Sequence, residues 1–408
     1  MFKLVHPIFA LQTENTLEIA KVPRDDDCVF LRYQRREIQG VLNNFAHNLH
    51  YSTNAHAHLD IPCPVRYTMA QIWQEDRRVQ KNEKPFVVGV DLGGTNVRAA
   101  VIDRVSEQII ARGENISSRG MEGPELTAMQ IALAARTALD QAGAELSQVL
   151  GVGVAVPGHV KAKEGVVKWA PNFKDQWKDV PIAALIQKHL GLPVQIGNDA
   201  NIAALGEFRF GAGRAIRHMV MVTLGTGIGG GIIVDGKLLD GADGGAGEIG
   251  HMVVNPGGRG GNSAFGSVEG ETQRDAIVER AARKIQEGYA TSLGARVDYD
   301  RFALTPAIIA EEAQKGDAIA LEVFEETGYY LGLCVTNLIN LLNPEMIVIG
   351  GGIAQAGEII LEPIRRTATA CAIRSLSRTC QIVPAELGDN AGIYGGATIV
   401  LQEVAGEV

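Results

Sequence analysis

Two apolar runs, residues 86–90 and 99–102, flank a break made of Asp91 and Gly93-Gly94-Thr95-Asn96. β-Branched residues recur in both runs, so residues 85–103 predict a β-hairpin with a glycine-bearing loop. Strands and helices then alternate. Residues 122–142 carry apolar positions at helical spacing and predict a helix. Val149–Val156 reads as a buried strand stopped by Pro157-Gly158, and Pro181 opens a helix ending at Leu190. A short strand over 194–197 precedes a helix over Asp199–Phe210, and strands over 218–224 and 229–234 flank a second glycine-rich turn. Long helices are predicted over 269–289 and 317–342, the second ended by Asn343-Pro344. A strand over 346–349 leads into Gly350-Gly351-Gly352 and a helix from about Gly357; a strand over Gln381–Pro384 and a helix over 392–400 close the chain.

Residues 1–84 do not share this pattern. They combine charge runs with His47, His50, His56 and His58, and show no sustained period outside 30–49. They predict a poorly ordered extension. His56-Ala57-His58 lacks a convincing set of further metal ligands. Two glycine-bearing strand-turn-strand units, at 86–102 and 218–234, predict two similar α/β lobes, and ligands of such folds lie in crevices at strand ends. The expected division is 1–84, 85–205 and 206–408, with the last helix a candidate to pack back on the first lobe.

The chain has 408 residues, 46% of them hydrophobic, which is enough for two lobes with real cores. Its net charge of -9 argues against a nucleic-acid partner held on a basic surface. The five cysteines are scattered without a CxxC pair, which fits a reducing cytoplasm, and no apolar run is long enough for a membrane span.

The chemistry concentrates in a few short motifs. The loop at Gly93, Gly94, Thr95 and Asn96 offers backbone N–H groups and side-chain donors for phosphate, and Asp91 at the strand end suits a hydrated Mg²⁺. Leu224-Gly225-Thr226-Gly227-Ile228-Gly229-Gly230-Gly231 is a second phosphate-loop candidate without a Walker lysine. Gly350-Gly351-Gly352 is a site of close approach for a nucleoside, or an ordinary tight turn. Asn198-Asp199 before a helix fits an N-cap. It equally fits a carboxylate base that takes a proton from a substrate hydroxyl attacking phosphorus. Spacing alone does not choose between them. Glu248 and His251, three residues apart, and Glu269 are polar groups of the kind that bind sugar hydroxyls.

In order and spacing, Asp91–Asn96, Gly197-Asn198-Asp199-Ala200-Asn201, residues 224–231, Gly247-Glu248-Ile249-Gly250-His251 and Gly350-Gly351-Gly352-Ile353 resemble the ROK family of sugar kinases and repressors. The resemblance runs from about Pro85 to near the C-terminus. It implies an α/β fold of two actin-like ATPase (ribonuclease H-like) lobes with the active site in the cleft between them. It implies ATP as cofactor, its phosphates held by Gly93, Gly94, Thr95, Asn96, Gly225, Thr226 and Gly227. Mg²⁺ would lie near Asp91 and the adenosine near Gly351. Asp199 would be the base, and Asn172, Asn198, Glu248, His251 and Glu269 would hold the sugar. The implied reaction is phosphorylation of a hexose, glucose first, by a cytoplasmic homodimer. Fructose, mannose or an N-acylhexosamine is the neighbouring alternative. A sugar-responsive repressor, whose winged-helix domain has roughly the size of the extension, is a second class, and a non-catalytic sugar sensor a third. ROK proteins commonly carry a CxCGxxGC zinc motif after the GxxGH segment. Residues 255–269 contain no cysteine, so no structural zinc is expected and the loop is expected to be ordered by glycine-rich packing.

Overall fold

The computed structural model describes residues 8–13, 16–21, 29–34, 84–173, 176–258 and 265–407. Residues 1–68 and 69–408 form two separate units. In the first, β1 (Ile8–Thr13), β2 (Thr16–Lys21) and β3 (Val29–Gln34) pair antiparallel in that order. The sequence pattern predicts no strand at β1 or β2, because IFALQT and TLEIAK lack a clean alternation of apolar and polar positions. His56 and His58 lie outside the described residues.

The second unit builds one sheet topology twice. The first sheet uses β4 (Phe86–Leu92), β5 (Asn96–Asp103), β6 (Ile109–Arg112) and β7 (Ile116–Ser117). Helix α1 (Pro124–Ala142) then leads to β8 (Val149–Val156). A small sheet of β9 (His159–Lys161), β10 (Val166–Trp169) and β11 (Lys178–Val180) precedes α2 (Ile182–Leu190) and β12 (Val194–Asn198). The strand order is β12-β8-β4-β5-β6, with β7 also on β5; β4, β5 and β6 are antiparallel, while β4, β8 and β12 are parallel. Helix α3 (Asp199–Phe210) leads to β13 (Met219–Leu224), β14 (Ile228–Val234) and β15 (Lys237–Leu238). Helices α4 (Val268–Thr272), α5 (Arg274–Gln286), α6 (Pro306–Gln314) and α7 (Ala318–Leu342) precede β16 (Met346–Gly350). Helix α8 (Glu358–Cys371), β17 (Gln381–Pro384) and α9 (Ala391–Glu403) complete the chain. The order β15-β14-β13-β16-β17 repeats the first sheet's sequence of antiparallel and parallel neighbours. Strands β8 and β16 are buried at every residue, as expected of parallel strands covered on both faces.

Helices α3 and α9 cross between the two sheets. Helix α3 packs on β13 and β14 of the second sheet, whereas α9, from the chain's end, lies over β4 and β8 of the first. Contact is backbone to backbone: a Cβ added to Gly153 of β8 would sit 1.8 Å from the Gly396 carbonyl oxygen, and one on Gly89 of β4 would sit 1.9 Å from that of Ile393. Residue 205/206, the expected lobe boundary, therefore falls inside α3, a helix that belongs to the interface of both lobes.

One predicted helix is broken. Residues 269–289 do not form a single helix; Gln273 is extended between α4 and α5. The break frees the Arg274 N–H, which donates to the Gly225 carbonyl at 3.1 Å, so the second glycine turn is tied to the start of α5. The apolar end of α7 buries Leu331, Cys334, Val335, Leu338 and Ile339 in the core and leaves Tyr329 and Leu341 exposed. No described helix is long and apolar enough to cross a membrane.

Candidate active site

The first loop is a tight hairpin turn, closed by a 2.8 Å bond from the Gly93 N–H to the Asn96 carbonyl. Gly94, Thr95 and Asn96 are exposed. Ser118, fully buried, braces the turn from behind: its N–H donates to the Thr95 carbonyl and its hydroxyl to that of Gly94. Asp91, next to last in β4, lies directly opposite Arg98 of β5, and Arg98 Nη2 donates to Asp91 Oδ2 at 2.5 Å. The sequence reading missed Arg98. Hairpin register carries the signal, since residues equidistant from a turn face each other.

Only part of the second glycine string is a loop. Gly225, Thr226 and Gly227 form the turn, with a 3.0 Å bond from the Gly225 N–H to the Gly227 carbonyl. Gly229, Gly230 and Gly231 belong to β14 and make the strand thin. A Cβ on Gly229 would lie 2.7 Å from Ala200 Cβ, and one on Gly231 2.4 Å from Ala204 Cβ. The second loop is thereby held one strand residue from the first turn of α3. Gly351, at φ 87°, backs onto the same region, for its Cβ would meet the Leu224 carbonyl oxygen at 2.3 Å.

At the start of α3 the structure separates the roles of Asn198 and Asp199. Asn198 is the N-cap: Oδ1 accepts from the Ala200 and Asn201 N–H groups, and Nδ2 donates to the Gly158 carbonyl at 3.0 Å. Most of its hydrogen-bonding capacity is thus engaged in capping, leaving one N–H. Asp199 is relieved of the capping role. Its Oδ1 accepts from the Ala200 N–H at 2.9 Å, and its own backbone N–H also approaches the carboxylate. The residue keeps solvent-accessible surface, yet protein crowds around its carboxyl group. That burial raises its pKa to about 6, the negative charges of Asp91 and Glu248 push the same way, and the Ala200 N–H opposes them. Asp91 from the first lobe and Glu248 from the second thus both lie within electrostatic reach of Asp199.

The remaining candidates fall around this centre. Glu248 and His251 flank a short 3₁₀ turn, Ile249–His251, with Oε2 and Nε2 3.9 Å apart and both side chains exposed. That separation is too long for a hydrogen bond. Asn172 is exposed on the turn Pro171–Phe173. Phe173 and Trp177, buried and 4.7 Å apart between ring centroids, fix that turn, and Trp177 Nε1 donates to the Gly120 carbonyl at 3.0 Å. Glu269 Oε2 accepts from the Ile228 N–H at 3.0 Å, so one oxygen of this carboxylate braces the second glycine turn.

Two lobes of one repeated topology, with a glycine turn in each and a carboxylate between them, make an actin-like ATPase fold. The ROK family model matches residues 87–403, and the chain belongs to that family. It is 38% identical over 321 residues to a glucokinase of Halalkalibacterium halodurans, covering 78% of this chain and 96% of that one. A xylose repressor of Caldicellulosiruptor bescii is 29% identical over 321 residues, 78% of each chain. Among solved structures, a ROK family glucokinase from Streptomyces griseus in complex with glucose and AMPPNP matches with 32% identity and a TM-score of 0.67, covering 78% of this chain and 99% of that one.

Proposed function

We propose that the protein is an ATP-dependent hexose kinase, with glucose as substrate and its 6-hydroxyl as the attacking group. The observation that carries the reading is Asp199, a carboxylate relieved of capping, accessible to solvent and raised to about pKa 6. Above that pH it is ionised and able to take a proton. The sugar oxygen forms a bond to the γ-phosphorus, the bond from that phosphorus to the β,γ-bridging oxygen breaks, ADP leaves, and the hydroxyl proton passes to Asp199. The loops Gly93 to Asn96 and Gly225 to Gly227 supply donors for the phosphates from the N–H groups that do not close the turns, Gly351 lies where the nucleoside would rest, and Asn172, Asn198, Glu248, His251 and Glu269 hold the sugar. Asp91 fits Mg²⁺, because Oδ1 is left when Oδ2 is paired with Arg98, and this ion uses one or two carboxylates with water and phosphate oxygens. When bound, Mg²⁺ supplies charge neutralisation on the transferring phosphoryl group.

Arg98 adds positive charge beside the first loop. Arg98→Met is expected to raise the KM for ATP by roughly tenfold or more, the size of a lost charge-assisted contact, with a small effect on the KM for sugar; steady-state kinetics at varied ATP checks this.

The substrate is tested by phosphorus NMR of the product from Mg-ATP and each of four sugars. Glucose 6-phosphate from glucose supports the proposal. Product only from fructose, mannose or an N-acylhexosamine keeps the mechanism and replaces the sugar. A repressor reading has one observation in its favour: the match covers 96% of the glucokinase but 78% of both this chain and the xylose repressor, so the latter two each have a comparable unmatched part. Higher identity to the glucokinase and the ionisable base favour catalysis. Absence of product from every sugar, with specific retention on DNA, would reverse that preference.

A further inference from the structure

The cysteine-free stretch after His251 leads to a buried polar network that the active-site reading leaves unused. Its two strands are zipped: Val253 bridges Ser267, the Val254 and Asn255 N–H groups both donate to the Gly266 carbonyl, and the Val268 N–H donates to that of Met252. At the base of this zipper Asn255 Nδ2 donates to Glu271 Oε1 and to the Tyr330 hydroxyl, each at 3.1 Å. Glu271 in turn accepts from Arg280 Nη2 at 3.2 Å, and both side chains are almost fully buried. Arg280 also donates from Nε to Glu326 at 2.7 Å and from Nη1 to Thr327 at 3.2 Å, and it lies over the Tyr330 ring. The loop is built to receive this group: a Cβ on Gly258 would stand 1.9 Å from Glu271 Oε1.

The direction of the chain gives the network its meaning. Glu271 and Glu269 share the five-residue helix α4. Glu269 holds the second glycine turn through the Ile228 N–H, and the stretch that Asn255 anchors begins at His251. Arg280 of α5 and Glu326, Thr327 and Tyr330 of α7 therefore tie the loop and the short helix α4 to two longer helices, in addition to the apolar packing of Ile249 and Val268. A buried ion pair is weak as a source of stability, because desolvation offsets its attraction, but it specifies geometry where its polar atoms are satisfied.

We infer that Asn255, Glu271 and Arg280 are positioning residues for the sugar side of the cleft, acting through His251 and Glu269 and joining that side to the second glycine turn. The inference rests on the kinase reading of the same site. Positioning errors of this kind weaken binding without touching the reacting groups.

Asn255→Ala is the main test, because Asn255 is half-buried and its loss leaves the Glu271–Arg280 pair intact. The expected result is a KM for glucose raised about tenfold, kcat within about threefold of wild type, and circular dichroism unchanged. Tyr330→Phe, which removes one of the two acceptors, is expected to give a smaller increase and to be non-additive with Asn255→Ala. A variant that melts earlier but keeps the wild-type KM for glucose, or one unchanged in both, overturns the inference while leaving the kinase reading in place. If the wild type binds glucose but phosphorylates none of the four sugars, the kinase reading fails alone. The network is then judged by calorimetry, where about tenfold weaker glucose binding in Asn255→Ala supports it and equal affinity overturns it. Failure of the wild type to bind any of the four sugars overturns both.

Discussion

Asp199→Asn is expected to lower kcat by about 10²- to 10⁴-fold, the range that a positioned general base contributes, with little change in the KM for either substrate. The substitution keeps the shape of the side chain and the Asn198 cap, so the loss reports proton transfer and not folding. The wild-type pH profile carries the same information. A base with a pKa of about 6 is protonated below that pH, so kcat/KM for sugar should fall about tenfold per unit on the acid side and level off above it. Stability should move the opposite way. Because burial raises this carboxyl above its ordinary value of 3.8, the folded state holds the proton more tightly than the unfolded chain does. Stability therefore declines as pH rises from about 4 to about 6. Asp199→Asn removes that burden, so the variant should melt higher than wild type at pH 7 and show no such gain at pH 4. Thermal scans at the two pH values check this, and an inactive variant with no gain at pH 7 would mean that the carboxyl is not strained as described.

The second large effect lies away from the chemistry. Gly153→Ala places a methyl group 1.8 Å from the Gly396 carbonyl oxygen, in a strand buried at every residue. No rotamer relieves a clash with backbone, so α9 must lift from β8. Overpacking typically costs 1–3 kcal/mol, and a cost of about 3 kcal/mol is expected here. The melting temperature should then drop by roughly 4 °C, given about 2.1 cal/mol/K of unfolding entropy per residue over residues 69–408. Since Gly392 of α9 packs against the Asp91 carboxylate, the lifted helix should also raise the KM for ATP. An unchanged melting temperature would show that α9 does not lie on the first sheet.

Much of this architecture was legible from residue patterns. The hairpin at 85–103, the buried strand Val149–Val156, the helix Asp199–Phe210 and the strand–glycine–helix unit after Met346 all follow local rules of periodicity and turn chemistry, and the structure has each of them. Where pattern failed, the deciding partner lay far along the chain. The helix expected over 269–289 breaks at Gln273, and the Arg274 N–H goes instead to the Gly225 carbonyl, about fifty residues earlier. Strands β9, β10 and β11 have three or four residues each, too few to show a period, and α6 escaped the sequence pattern as well.

The site shows the same limit. Adjacent Asn198 and Asp199 are both good caps, and only the Gly158 carbonyl, by anchoring Asn198, decides which residue is left for chemistry. The glycines from 225 to 231 look alike in sequence but divide between a turn and a strand that touches Ala200 and Ala204. The loop expected to rely on glycine packing is packed tightly at Gly258 and Gly266, and is held as well by Asn255, Glu271 and Arg280, whose partners come from three separate segments. Arg98 was within reach, because the turn alone places it across from Asp91.

The central claim is that this cleft transfers phosphate to a sugar. A coupled assay of ADP release by the wild-type protein with Mg-ATP, run with and without each hexose, tests it most directly. Release that depends on glucose, with a low rate when sugar is omitted, is the predicted result. ADP release that no hexose stimulates, in protein that still binds sugar, would contradict it.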